Sequence, residues 1–241
     1  MAAALGWGAL AASSLVLGVF LAFARGWPAR MIGLILAFGA GALISAVSFE
    51  LAEEGTHIGS PGAVGVGLAV GALTYYLGDS LIARRTRTSP GKAGRRSGED
   101  AGVGLALGSF LDGVPEQLVL GVGLAGGQSV SVALLVAIFV SNLPEGIGSA
   151  ADMSAAGTPR EKTVRLFLVV GLVCTLATVL GYAIANSISG ELQAGVDGFA
   201  AGALLVMLID SMIPEARNKA GRPAGLLTVV GFAVAAALST S

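Results

Sequence analysis

"SVALLVAIFVSNLPEGIGSAA", Ser131 to Ala151, runs for 21 residues with a single ionisable side chain, Glu145. As a helix it would rise about 30 Å, the thickness of the hydrocarbon core of a bilayer. Its apolar residues do not alternate with polar ones as a half-buried strand requires, so the stretch reads as a membrane-spanning helix. The rest of the chain agrees with this. Hydrophobic residues make up 54% of the 241 and charged residues 12%, with a mean hydropathy of +0.83, whereas soluble domains are about one quarter charged. The expected class is an all-α integral membrane protein. The net charge of -1 says little about partners, since the charges are confined to particular segments; no nucleic-acid footprint is read, and the single cysteine, Cys174, lies in an apolar run and reads as a packing residue.

Eight segments approach the length of about 20 residues needed for a span. They cover about 5–24, 30–52, 62–83, 102–124, 129–151, 164–187, 192–214 and 223–239. The first lacks the basic start of a signal peptide and is read as a span. All 14 Lys and Arg fall in alternate connections: Arg25 and Arg30; Arg84 to Arg96; Arg160 to Arg165; Arg217 to Arg222. Those connections are expected to be cytoplasmic, which puts both termini outside. The longest, residues 86–100, is basic and rich in Gly and Ser and is expected to be flexible. The other loops, "EEGTHIGSPG", "AGGQS" and "SISGELQ", contain no cation.

Glu145 is out of place at this depth, and it is not alone. "LDGVPE" (Leu111 to Glu116) places Asp112 and Glu116 near the middle of the preceding span, which runs the opposite way. Residues three or four apart share a helix face, so Asp112 aligns with Glu116, Ser141 with Glu145, and Asn142 lies close by. Pro115 and Pro144 cannot donate to the carbonyls of Leu111 and Val140, which adds free oxygens and favours bends. Carboxylates crowded in hydrocarbon repel one another unless a cation joins them or they take up protons. A divalent metal bound by Asp112, Glu116, Ser141, Asn142 and Glu145 meets that requirement. The alternative is protonated acids acting as hydrogen-bonding links between helices.

A weak internal symmetry points the same way. "AFGAGALISAVSFELAEEG" (Ala37 to Gly55) aligns without gaps to "GFAAGALLVMLIDSMIPEA" (Gly198 to Ala216), in spans that run in opposite directions. Inverted repeats of three helices around a central pair are a transporter architecture. Six identities in nineteen positions, mostly Gly, Ala and Leu, are few enough to arise from composition alone.

With eight spans, outside termini, a basic loop between the third and fourth and Pro-Glu motifs in the fourth and fifth, the chain resembles the ZIP family of divalent metal transporters along its whole length. The resemblance implies a 3+2+3 inverted-repeat bundle, a metal site on the fourth and fifth spans that often holds two ions, and transport toward the cytoplasm. "SNLPEG" keeps Asn142, Pro144, Glu145 and Gly146 of the motif His-Asn-x-Pro-Glu-Gly and has Ser141 where His is common. "DGVPEQ" keeps Pro115 and Glu116 but has Asp112 for His, Gly113 for Asn and Gln117 for Gly.

The only histidine, His57, lies in a loop expected outside, so the mid-membrane ligands are oxygens. Such a hard set suits manganese, magnesium or calcium and leaves zinc, iron and cadmium as further candidates. Glu50, Glu53, Glu54 and Asp197 lie toward the outer ends of their spans, where they can gather cations. Asp79 and Asp210 lie toward the inner ends, where they can pass them on; Asp79 can equally pair with Arg84, and Glu215 with Arg217 or Lys219. Expected partners are divalent cations, the lipid bilayer and, as an open alternative, a second copy of the chain. The expected location is the plasma (inner) membrane. No resident cofactor is expected, and one histidine cannot supply the His-Glu-x-x-His set of an intramembrane metalloenzyme, so no enzyme is expected. A metal-binding or sensing homologue that does not transport is the rival to a transporter.

Overall fold

The computed structural model describes the backbone of residues 1–87, 98–125, 131–185 and 187–239, and their side chains except 82–109 and Leu111. The regular elements among them are helices: α1 (Ala2–Ala24), α2 (Ala29–Ala46), α3 (Glu54–Ile58), α4 (Pro61–Arg87), α5 (Gly98–Ala125), α6 (Val132–Ala155), α7 (Arg160–Ala185), α8 (Gly190–Met207), α9 (Ile213–Ala220) and α10 (Pro223–Ser239). Two of the joins are not loops. α2 passes into α3 through a π-helical stretch, Val47–Glu53, and α8 into α9 through another, Leu208–Met212.

Six of the resulting rods are long and apolar enough to cross a membrane: Ala2–Ala24, Ala29–Ile58, Pro61–Leu81, Val132–Ala155, Arg160–Ala185 and Gly190–Ala220. The apolar helix α10 is shorter, with 17 residues. The span expected over 102–124 corresponds to α5, whose side chains are described from Phe110 onward, and the loop expected over 86–100 lies outside the described residues for 88–97. The rods that contain π stretches extend about two turns beyond the expected ends at 52 and 214, to Ile58 and Ala220.

The ends and interruptions have local causes. Ser131 caps α6 by accepting from the Leu134 amide at 3.1 Å. Gly221, with φ at 71°, turns the chain between α9 and α10. Pro214 cannot donate to the Asp210 carbonyl, which loosens the ladder at the second π stretch. The first has no proline, and nothing in its sequence marks it. Pro115 and Pro144 both lie inside helices that continue through them.

Burial follows the logic of a lipid solvent. Leu168, Leu172, Leu176 and Leu180 form an exposed stripe along α7, whereas α1 buries mainly small residues, among them Ala4, Gly8, Ala11, Ala12 and Gly18. Lipid tails are as apolar as leucine, so helices here associate through close contact and hydrogen bonds more than through the hydrophobic effect. Gly18 and Gly146 illustrate the contact: a Cβ on Gly18 would collide with the Leu143 carbonyl, and one on Gly146 with the Leu15 carbonyl. The glycine that follows Glu145 therefore lets α1 lie directly on α6 beside that glutamate.

The helices group into two sets. α4 packs along α8 and α10 along α2, whereas α5 packs along α7, and α1 along both α6 and α7. The sets meet where α2 touches α6 and α8 touches α5. In the gap-free alignment above, Val47 faces Leu208, so the two π stretches begin at matching positions. Gly41 and Gly202 also match, and a Cβ on either would strike a backbone carbonyl of the packed neighbour, Thr228 or Leu68 respectively. At one end the start of α4 is tied to the start of α8: the Ser60 amide donates to Glu191 Oε2 at 2.9 Å and the Ser60 hydroxyl to Oε1.

Candidate metal site

The polar residues of α5 and α6 do come together, but not as one cluster. Ser141 is fully buried, with its hydroxyl 3.2 Å from Glu116 Oε1 and 2.9 Å from the Ile138 carbonyl. One hydroxyl proton can serve only one of these acceptors at a time. Glu116 Oε2 has no hydrogen-bond partner although Glu116 is 1% exposed, and the buried Asn142 has none for either amide atom. Buried polar atoms left this way cost about 1–3 kcal/mol each, and more when charged. Glu145 lies on α6 one turn from Ser141 and is partly buried.

Asp112 makes a separate set of bonds. Its Oδ1 accepts from the Tyr75 hydroxyl at 2.5 Å and its Oδ2 from the Ser211 hydroxyl at 3.3 Å. Tyr75 comes from α4 and Ser211 from the second π stretch, so this carboxylate joins three rods. Neither partner follows from the sequence motifs. The available signal for Tyr75 is general: a tyrosine buried in a span needs an acceptor for its hydroxyl. Gln117, where glycine stands in the motif, accepts from the Thr178 hydroxyl at 2.6 Å through Oε1, and its Nε2 is buried without a partner. Among the described residues, no three His, Cys, Asp or Glu side chains gather closely enough to hold a metal ion.

The acids expected toward the outer ends of their spans share a cavity. Glu50, Glu53, Glu54, His57 and Asp197 line a space of about 700 Å³ beside the first π stretch, together with the ends of α5, α6 and α10. Asp197 is buried at its wall, with 4% exposure, while His57 is exposed. Asp79 and Asp210 are exposed on their helices and do not line this cavity. Glu215 pairs with Lys219 at 2.7 Å, on the side of α9 that faces Gly148 of α6. The alternative pairing of Asp79 with Arg84 involves a side chain outside the described residues.

The sequence that builds this helical bundle matches a family profile. The profile described as ZIP zinc transporter covers residues 86–239. The chain belongs to the ZIP family. An Arabidopsis thaliana protein named as a candidate zinc transporter is 29% identical over 213 residues, which is 86% of this chain and 34% of the plant protein. The dog zinc transporter SLC39A7 (Canis lupus familiaris) is 26% identical over 131 residues, 52% of this chain and 27% of its own length. The matched segments thus span about a third or less of these relatives. As a ZIP member the chain is an integral membrane protein related to divalent metal transporters, and the profile takes in both Pro-Glu helices, α5 and α6.

Proposed function

We propose that the chain carries a divalent metal cation across the membrane toward the cytoplasm, through a site on α5 and α6 made by Glu116, Glu145, Asn142, Ser141 and Asp112. The observation that supports this most is the pair of buried, unpartnered groups at the helix contact, Glu116 Oε2 and the Asn142 amide. A cation supplies what these oxygens lack, and binding there offsets the cost of burying them. Zinc is favoured by the names of both relatives, and manganese by the hard oxygen set. Glu50 and Asp197 serve as the outer approach through the cavity, and Asp79 and Asp210 mark the inner side. The reading is of a transporter and not an enzyme, in the plasma (inner) membrane.

The architecture proposed is eight spans in a 3+2+3 inverted repeat, with both termini outside. The matching start of the two π stretches and the paired contacts of Gly41 and Gly202 support the repeat. Cysteine labelling in intact cells is expected to find positions in the 86–100 loop protected and positions in "EEGTHIGSPG" accessible. The opposite pattern would reverse the orientation and the transport direction.

The rival, a member that binds metal without moving it, is favoured by one observation: Asp112 and Ser141 stand where the family motif has histidines. Protein reconstituted in liposomes decides between the two. Saturable zinc or manganese uptake above that of empty vesicles is expected, and saturable binding with no uptake would select the rival.

A further inference from the structure

We propose that Tyr75, assisted by Ser211, is a positioning residue that holds the Asp112 carboxylate away from the other ligands and so sets how tightly the site holds its cation. The inference rests on the metal-site reading above and names a residue outside that ligand set. Both oxygens of Asp112 are engaged, Oδ1 by Tyr75 at 2.5 Å and Oδ2 by Ser211 at 3.3 Å. One turn along the same helix, Glu116 receives one hydroxyl on Oε1 and nothing on Oε2. The two carboxylates of α5 therefore differ in kind: one is satisfied by the protein, and the other is left short of a partner.

The partners of Asp112 also have a common origin. α4 and α8 pack along each other, and Ser211 lies in the π stretch that continues α8, so both hydroxyls belong to one helix set. Asp112 belongs to the other, in which α5 packs along α7. Hydroxyl bonds to a carboxylate are charge-assisted and roughly twice as strong as neutral ones. A cation at Glu116 and Asn142 gains its next charged oxygen only by drawing Asp112 off, or sharing it with, these hydroxyls. Tyr75 thereby weakens binding and favours release, which a transport site needs as much as capture.

Tyr75→Phe removes the donor and keeps the ring, which is 8% exposed and packed in the helical core. In detergent-purified protein titrated separately with zinc and manganese ions, this variant is expected to bind about tenfold more tightly than wild type. In liposomes its half-saturating concentration and its maximal flux should fall together. Ser211→Ala should act in the same direction with a smaller effect, and serves if the first variant does not fold. In an Asp112→Asn background, Tyr75→Phe should change nothing further. Weaker binding by the hydroxyl-deletion variants, unchanged binding, or an equal effect with and without the Asp112 carboxylate would overturn the assignment. Glu116→Gln separates this from failure of the site itself: if Glu116→Gln binds like wild type, the metal-site reading falls; if it loses binding while Tyr75→Phe is silent, only the role of Tyr75 falls.

Discussion

Glu116→Gln and Glu145→Gln are each expected to lower metal affinity on the order of 100-fold or more. The glutamine has nearly the shape of the residue it replaces, so the bundle is retained. What is lost is the negative charge that balances a divalent ion where the dielectric is low. At Glu116 the change also replaces a buried oxygen that lacks a partner with an amide, which is cheaper to bury when no metal is bound. The two effects give a distinctive pair of readings: the metal-free variant should melt no lower than wild type, and added metal should raise its melting temperature far less. Calorimetric titration measures the affinity and thermal melting the coupling. Retention of wild-type metal-dependent flux by both variants would remove these glutamates from the site.

Asp112→His is expected to raise the ratio of zinc to manganese uptake about tenfold, mostly through loss of manganese. A carboxylate is a charged, hard ligand, and imidazole is a neutral, borderline one. Hard cations that depend on charge count lose most from the exchange. Histidine ligands need their second ring nitrogen held, and here Tyr75 and Ser211 are in place to do so, because a hydroxyl oxygen can accept an N–H as readily as it can donate. The local surroundings of Asp112 thus provide for a histidine even though the sequence does not contain one there. Uptake of both metals, measured in the same vesicle preparation for wild type and variant, gives the ratio. An unchanged ratio would exclude Asp112 from the ligands that set selectivity.

Membrane residence, the helical class and the approximate positions of the rods could all be read from the chain. In lipid every backbone polar group must be satisfied within the segment, so length and hydropathy decide most of it. The Pro-Glu motifs pointed to two helices, α5 and α6, that do pack together, and Ser141 and Glu116 are neighbours across them. The pairing of Glu215 with Lys219 was also available from spacing, since i and i+4 share a helix face. The partners of Asp112 were not. Spacing coupled it to Glu116 on its own helix, whereas its carboxylate bonds to Tyr75, 37 residues away, and Ser211, 99 away. The π stretch at Val47–Glu53 was equally silent. In a soluble helix the contrast between apolar and polar faces reveals which side turns inward. In these rods both sides are largely apolar, and glycines such as Gly18 and Gly146 bring particular backbones into direct contact. Which carboxylate oxygen meets a hydroxyl and which is left without a partner follows from how the helices pack, and therefore from the packed bundle alone.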